Sequence, residues 1–176
     1  GWQNLELGQA EQGFAQLHEA IAMYETMRSG DQIKPLRYLA LGQRRAGDAA
    51  AALETIDRAW QFCGDENANL SFCAVVRANR AGILASQGKD RAAEALAEAD
   101  AAIEDLRTFK SYGQPEMAQA FESKALALSL LGRQAEAEAL QGEALAIVVK
   151  AYGSEHFESR RVQANLDKLR QASVRP

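Results

Sequence analysis

Proline occurs three times in 176 residues, and aromatic residues make up 7% of the chain. Scarce proline leaves long stretches free to run as helix, and scarce aromatic and β-branched residues exclude a β-rich fold. No run of eighteen apolar residues is present, so no membrane span is expected. The start Gly1-Trp2-Gln3-Asn4-Leu5-Glu6 has neither the basic region nor the apolar stretch of a signal peptide. Positive charge is not in excess either. A net charge of −4 argues against direct binding to a nucleic-acid backbone. Histidine occurs twice, as His18 and His156 in separate segments. The phrase His18-Glu19-Ala20-Ile21-Ala22 lacks the second histidine of a helical zinc hydrolase, so both read as surface or capping residues. There is no Gly-x-Ser-x-Gly elbow, phosphate loop or dinucleotide glycine run, and Ser129 has no histidine near it in sequence. The expectation is a protein that is not an enzyme and takes no metal and no cofactor. Cys63 and Cys73 match no metal or redox spacing and read as small core residues, with a disulfide as the alternative. The expected location is the cytoplasm.

What is abundant is alanine, leucine, glutamate, glutamine and arginine, all strong helix formers. A glycine recurs among them in one phrase: Leu7-Gly8-Gln9-Ala10-Glu11, Ala46-Gly47-Asp48-Ala49-Ala50, Gln87-Gly88-Lys89-Asp90-Arg91 and Leu131-Gly132-Arg133-Gln134-Ala135. The spacings are 39, 41 and 44 residues, the length of two helices and two turns. Such a period marks a helical solenoid, because one hairpin cannot bury its own apolar face and must stack on a neighbour. Alanine and a large apolar residue follow at the twelfth position in three copies: Ala20-Ile21, Ala59-Trp60 and Ala144-Leu145. In the third copy Asp100 takes that place and Ala102-Ile103 comes late, which points to a longer turn or a rotated second helix.

These signals predict an all-α fold of roughly eight helices in antiparallel hairpins, stacked as a right-handed superhelix. The hairpins fall at about 1–29, 30–64, 65–111 and 112–152, with a capping helix at about 153–172, all in one domain. The final helix is expected from Ser154 to Gln171, with Phe157, Val162, Leu166 and Leu169 inward and Glu158, Arg160, Arg161, Asp167, Lys168 and Arg170 toward water. Breaks at 28–31, 63–67, 112–115 and 152–155 each offer glycine to end one helix and a polar residue to cap the next. Repeat phase puts Leu17, Ala20, Leu53, Ile56, Ala59, Leu140, Ala144 and the four repeat glycines in the core. Only seven residues precede Gly8, so the amino end reads as cut and the chain as a fragment of a larger protein.

The phrase Leu-Gly, glutamate three or four residues on, and alanine at the twelfth position resembles the tetratricopeptide repeat family across essentially the whole chain. Glu11, Ala50, Arg91 and Ala135 stand where that family has an aromatic, and the copies exceed its usual length of about 34 residues. The length, with Tyr-Gly-Ser-Glu-His at 152–156, is similar to repeats of kinesin light chain type. The opening Gly1 to Gly13 and the phrase Arg80-Ala81-Gly82-Ile83-Leu84 look like the repeat tails of bacterial LuxR-type activators and class III adenylate cyclases. The resemblance implies a protein- or peptide-binding scaffold or regulatory module whose first helices line a groove. Two alternatives are an effector-sensing domain of a bacterial activator or signalling enzyme, and a structural array that self-associates through its open amino-terminal end.

Lys34, Arg37, Arg44 and Arg45 lie close together, Arg77 and Arg80 follow, and a spacing of seven puts Arg37 and Arg44 on one helix face with Leu41 between them. If that face lines the groove, it would take an acidic peptide or an anionic effector. The candidate contacts are Arg37, Leu41, Arg44, Arg45, Asn79, Gly82, Gln119, Glu122 and Ser123. The competing reading is exterior arginines paired with acidic neighbours.

Overall fold

The structure, a computed structural model, describes residues 9–26, 32–64, 70–108 and 114–174. Among them every regular element is helical. In chain order they are α1 (Ala10–Thr26), α2 (Ile33–Arg45), α3 (Ala49–Gln61), α4 (Leu70–Ser86), α5 (Ala92–Thr108), α6 (Pro115–Leu130), α7 (Gln134–Tyr152) and α8 (Phe157–Val174). Short 3-10 turns at Phe62–Gly64 and Lys89–Arg91 follow α3 and precede α5. The chain divides into two compact units, Gly1–Val76 and Arg77–Pro176, with the division inside α4.

In the first unit α1 packs on α2 and α2 on α3. Leu36 and Ile56 are its largest fully buried side chains on α2 and α3, with Ala52 and Ala59 small enough to let the helices close. The turn between α2 and α3 shows why the repeat carries glycine. Gly47 has φ +89°, its N–H donates to the Arg44 carbonyl at 3.1 Å, and the Asp48 N–H donates to the Gln43 carbonyl at 3.0 Å. This closes the last turn of α2 with a left-handed residue that lacks Cβ strain. Asp48 then caps α3, its Oδ1 accepting from the Ala51 N–H at 3.0 Å.

In the second unit α5 packs on α6, α6 on α7 and α7 on α8. Gly132, at φ +78°, repeats the Gly47 turn: its N–H donates to Ser129 and the Arg133 N–H to Leu128. Ala125, Leu128 and Ala137 form a buried cluster with Leu96, Leu140 and Leu169 packed against it. Two glutamines of α7 reach across to α8: Gln134 Nε2 donates to the Leu169 carbonyl at 2.6 Å and Gln141 Nε2 to that of Val162 at 3.1 Å.

Several expectations need correction. Gly47 and Gly132 are exposed and Gly88 half-buried, and a Cβ at any of them would meet nothing within 4 Å. Their role is backbone conformation, not close packing of helices. Gly8 lies outside the described residues. Leu17, Ile56, Ala59 and Ala144 are buried as expected, but Ala20, Leu53 and Leu140 are half-buried. The irregular third copy has a physical cause. Gly88 (φ +106°) leads into the 3-10 turn Lys89–Arg91, and α5 then buries Ala92, Ala95, Ala99, Ala102 and Leu106, leaving Asp100 exposed. Cys63 and Cys73 form a disulfide, so the core-thiol reading gives way to the alternative. The last helix begins at Phe157 rather than Ser154, because residues 153–156 form a turn in which His156 Nδ1 accepts from the Glu158 N–H at 3.3 Å. Phe157 is exposed; the His156 ring stacks on Tyr152 and meets the Phe157 ring at a tilt of 40°.

Candidate ligand-binding face

Helix α2 carries Lys34, Arg37, Arg44 and Arg45 and no acidic residue. Pro35, Leu36, Leu39, Ala40, Leu41 and Gly42 are buried against the fold, while Lys34 and Arg45 are exposed and Arg37 and Arg44 half-buried, with the Arg37 Nε buried. Arg44 and Arg45 occupy the last turn, where the helix dipole favours positive charge. Arg37 is half-buried, with its Cζ 4.8 Å from the centre of the Tyr38 ring and 5.7 Å from that of Phe72. Lys34 is exposed and its Nζ stands 5.9 Å from the same Phe72 ring. These distances suit cation–π attraction. All of these groups belong to the first unit. Leu41 is buried beneath the face and supports it from below.

The remaining candidates lie in the second unit, where the structure gives most of them structural work. Asn79 is fully buried, and neither amide atom has a hydrogen-bond partner among the described residues. Gly82 is buried, and buried Ser123 donates from Oγ to the Ala78 carbonyl at 2.8 Å, tying α6 to α4. Gln119 is half-buried. Glu122 receives both arms of the Arg161 guanidinium at 2.8 Å, with Asn165 Nδ2 at 3.3 Å. Arg161 was expected to face water; instead it bridges Glu122 and Glu158, joining α6 to α8. Burial would lower its pKa, but the hydrogen bonds and charges of Glu122 and Glu158 outweigh that and hold it above the ordinary arginine value.

Arg77 and Arg80 follow the competing reading. Arg77 meets Asp105 at 2.7 Å and Glu98 at 3.7 Å, and Arg80 meets Glu98 at 3.1 Å and Glu94 at 3.7 Å. They form an ion-pair ladder between α4 and α5. Sequence reasoning missed Tyr38 and Phe72. The only signals were an aromatic beside Arg37 and another beside Cys73. Among the described residues no group of three or more His, Cys, Asp or Glu could hold a metal, and no helix is long and apolar enough to cross a membrane.

Helix pairs closed by positive-φ glycines at a period near forty residues define a helical-repeat array. Residues 117–158 match the tetratricopeptide repeat family. Among solved structures, BtubC (BKLC) from P. vanneervenii aligns over 97% of this chain and 67% of its own, with TM-score 0.66 and 17% identity. Kinesin light chain TPR-like repeats from Podospora anserina align over 97% and 82%, with TM-score 0.65 and 18% identity. At such identities the likeness is one of fold. No curated protein sequence matches the chain. One tetratricopeptide repeat is thus matched within the chain, and the chain is similar in fold to TPR-like repeat arrays such as those of kinesin light chain.

Proposed function

We propose that this array is a binding scaffold, not an enzyme, and that the α2 face of its first unit receives a carboxylate-rich segment of a partner protein. The supporting observation is a helix with four cations and no acid, on which the Arg37 guanidinium lies over the Tyr38 ring and both Arg37 and Lys34 approach the Phe72 ring. Arginine's planar guanidinium suits the paired hydrogen bonds that carboxylates accept. A second copy of the chain is the other occupant to be tested, by sedimentation velocity without peptide. In the cytoplasm the disulfide would meet a reducing thiol pool, since such bonds persist mainly in oxidising compartments.

The test is fluorescence anisotropy with a labelled glutamate-rich peptide. Binding should weaken as salt rises, because exposed charges are screened over about 10 Å at 0.1 M. The double variant Arg37→Glu, Arg44→Glu should lose about ten-fold or more in affinity, roughly the value of one charge-assisted contact. Unchanged affinity at low salt would move the site away from α2.

A further inference from the structure

Five large apolar side chains are exposed among the described residues, and three of them, Val149, Tyr152 and Phe157, gather at the end of α7 and the start of α8. Val149 and Tyr152 stand one turn apart on α7, and exposed Ala146 carries the row one turn back. His156 links the Tyr152 and Phe157 rings, at centroid distances of 4.7 and 4.5 Å. These ring contacts order the side chains in advance, so less freedom is lost when the patch is covered. The last turns of α3 and α5 differ: they expose Arg58 on the one and Glu104 and Arg107 on the other. A clustered apolar patch with a polar rim marks a surface that meets another protein.

The flanks of the row say what covers it. Glu143 and Lys150 lie seven residues apart along one side, and neither has an ion-pair partner among the described residues. Half-buried Leu145 and exposed Tyr152 lie seven apart along the other side. Consider two α7 helices laid antiparallel about a twofold axis between Ala146 and Val149. Glu143 then meets Lys150 of the other copy, Ala146 meets its Val149, and Leu145 meets its Tyr152. The symmetry makes each contact twice. A parallel pair would instead set the charged flank of one helix against the Leu145–Tyr152 flank of the other.

We propose that this patch is a self-association surface on which α7 pairs antiparallel with α7 of a second copy. The two Glu143–Lys150 ion pairs fix the register, Val149 and Tyr152 supply the buried apolar contact, and Phe157 closes its rim. A single helix pair is smaller than the interface of an obligate dimer, so the association is reversible and depends on concentration.

The experiment is sedimentation equilibrium of the whole chain over a micromolar to millimolar series, with thermal melts to show that each variant keeps the fold. The parent should pass from monomer to dimer. Val149→Asp should weaken the dimer about ten-fold or more, as expected for a charge placed in a covered apolar contact. Glu143→Lys alone and Lys150→Glu alone should each weaken it about ten-fold at low salt, because like charges then face each other. The double variant Glu143→Lys, Lys150→Glu should return to within about two-fold of the parent, since only an antiparallel pair restores both contacts. Arg37→Glu, Arg44→Glu should dimerise as the parent does, which separates this surface from the α2 face. A parent that stays monomeric throughout overturns the proposal, as does a dimer indifferent to Val149→Asp. So does a charge exchange that fails to restore association, or a dimer lost in the α2 variant alone.

Discussion

In the second unit Arg77, Arg80, Arg133 and Arg161 are each set against carboxylates of that unit. In the first unit Arg37 lies over two rings on a helix that carries four cations and no acid, though Arg58 and Glu25 make an exposed ion pair nearby in the same unit. The same residue type thus serves two ends. Where a guanidinium bridges helices, its hydrogen bonds are committed within the fold and it contributes to stability. Where it rests on rings, the cation–π contact is worth less than a buried ion pair, and its loss should cost less stability.

The sharpest way to break that contrast is to remove one arginine of each kind. Arg161→Ala would strand Glu122, whose side chain is only 13% exposed, while Arg161 itself is 38% exposed and partly screened. We expect a loss of about 3 kcal/mol in urea unfolding, at the low end for breaking a buried pair because of that exposure. Arg161→Lys should recover part of it, keeping charge but not the fork. Arg37→Ala should cost about 1–2 kcal/mol, the scale of a half-buried cation–π contact. Equal losses at the two sites would show that the Arg37 face is structural.

Packing gives the next contrast, between repeat positions that the sequence treats alike. Ala59 of the first unit and Ala144 of the second are fully buried at the twelfth position after glycine, while Ala20 at the same position is half-buried. Ala59→Leu and Ala144→Leu should each overpack their helix pair and lower stability by about 2 kcal/mol. Ala20→Leu should fall within about 0.5 kcal/mol of the parent in the same thermal melts. A tolerated Ala144→Leu would mean that the α7 face has room the packing does not show.

Most of the fold was legible because its signals are local. A residue needing positive φ at each hairpin turn announces itself as glycine, and alanine at fixed distance reports where helices close. The core placement expected of the glycines was nonetheless mistaken: spacing reveals that they recur, not whether they face a neighbour or water. Likewise no count along the chain could show that a 3-10 turn before Ala92 shifts the face of α5. The candidate face was only half legible. Arg37, Arg44 and Arg45 emerge from helical spacing, but the carboxylates that hold Arg77 and Arg80 sit on α5, and Arg161, the partner of Glu122, on α8. Ser123 and Asn79 looked like groove residues because polarity does not reveal burial. The disulfide and the placement of Phe72 are tertiary facts with no spacing signature at all.

The smallest expected effects concern the glycines, where the two units should agree. Gly47 and Gly132 hold φ of +89° and +78° with open space around the position of a Cβ, so an alanine there would clash with nothing outside its own backbone. The cost of Gly47→Ala or Gly132→Ala is therefore conformational, about 1 kcal/mol for a side chain in the left-handed region. Gly142 makes the opposite case. It lies inside α7, its φ is outside the left-handed region, and a Cβ would again meet nothing within 4 Å. Gly142→Ala should stabilise by about 0.5–1 kcal/mol, since alanine gives up less backbone entropy in a helix. Opposite signs at Gly132 and Gly142, with the same penalty at Gly47, would show one turn chemistry beneath two uses of arginine. A Gly47→Ala variant as stable as the parent would mean that the α2–α3 turn does not depend on its left-handed residue, and that the first unit is held together differently from the second.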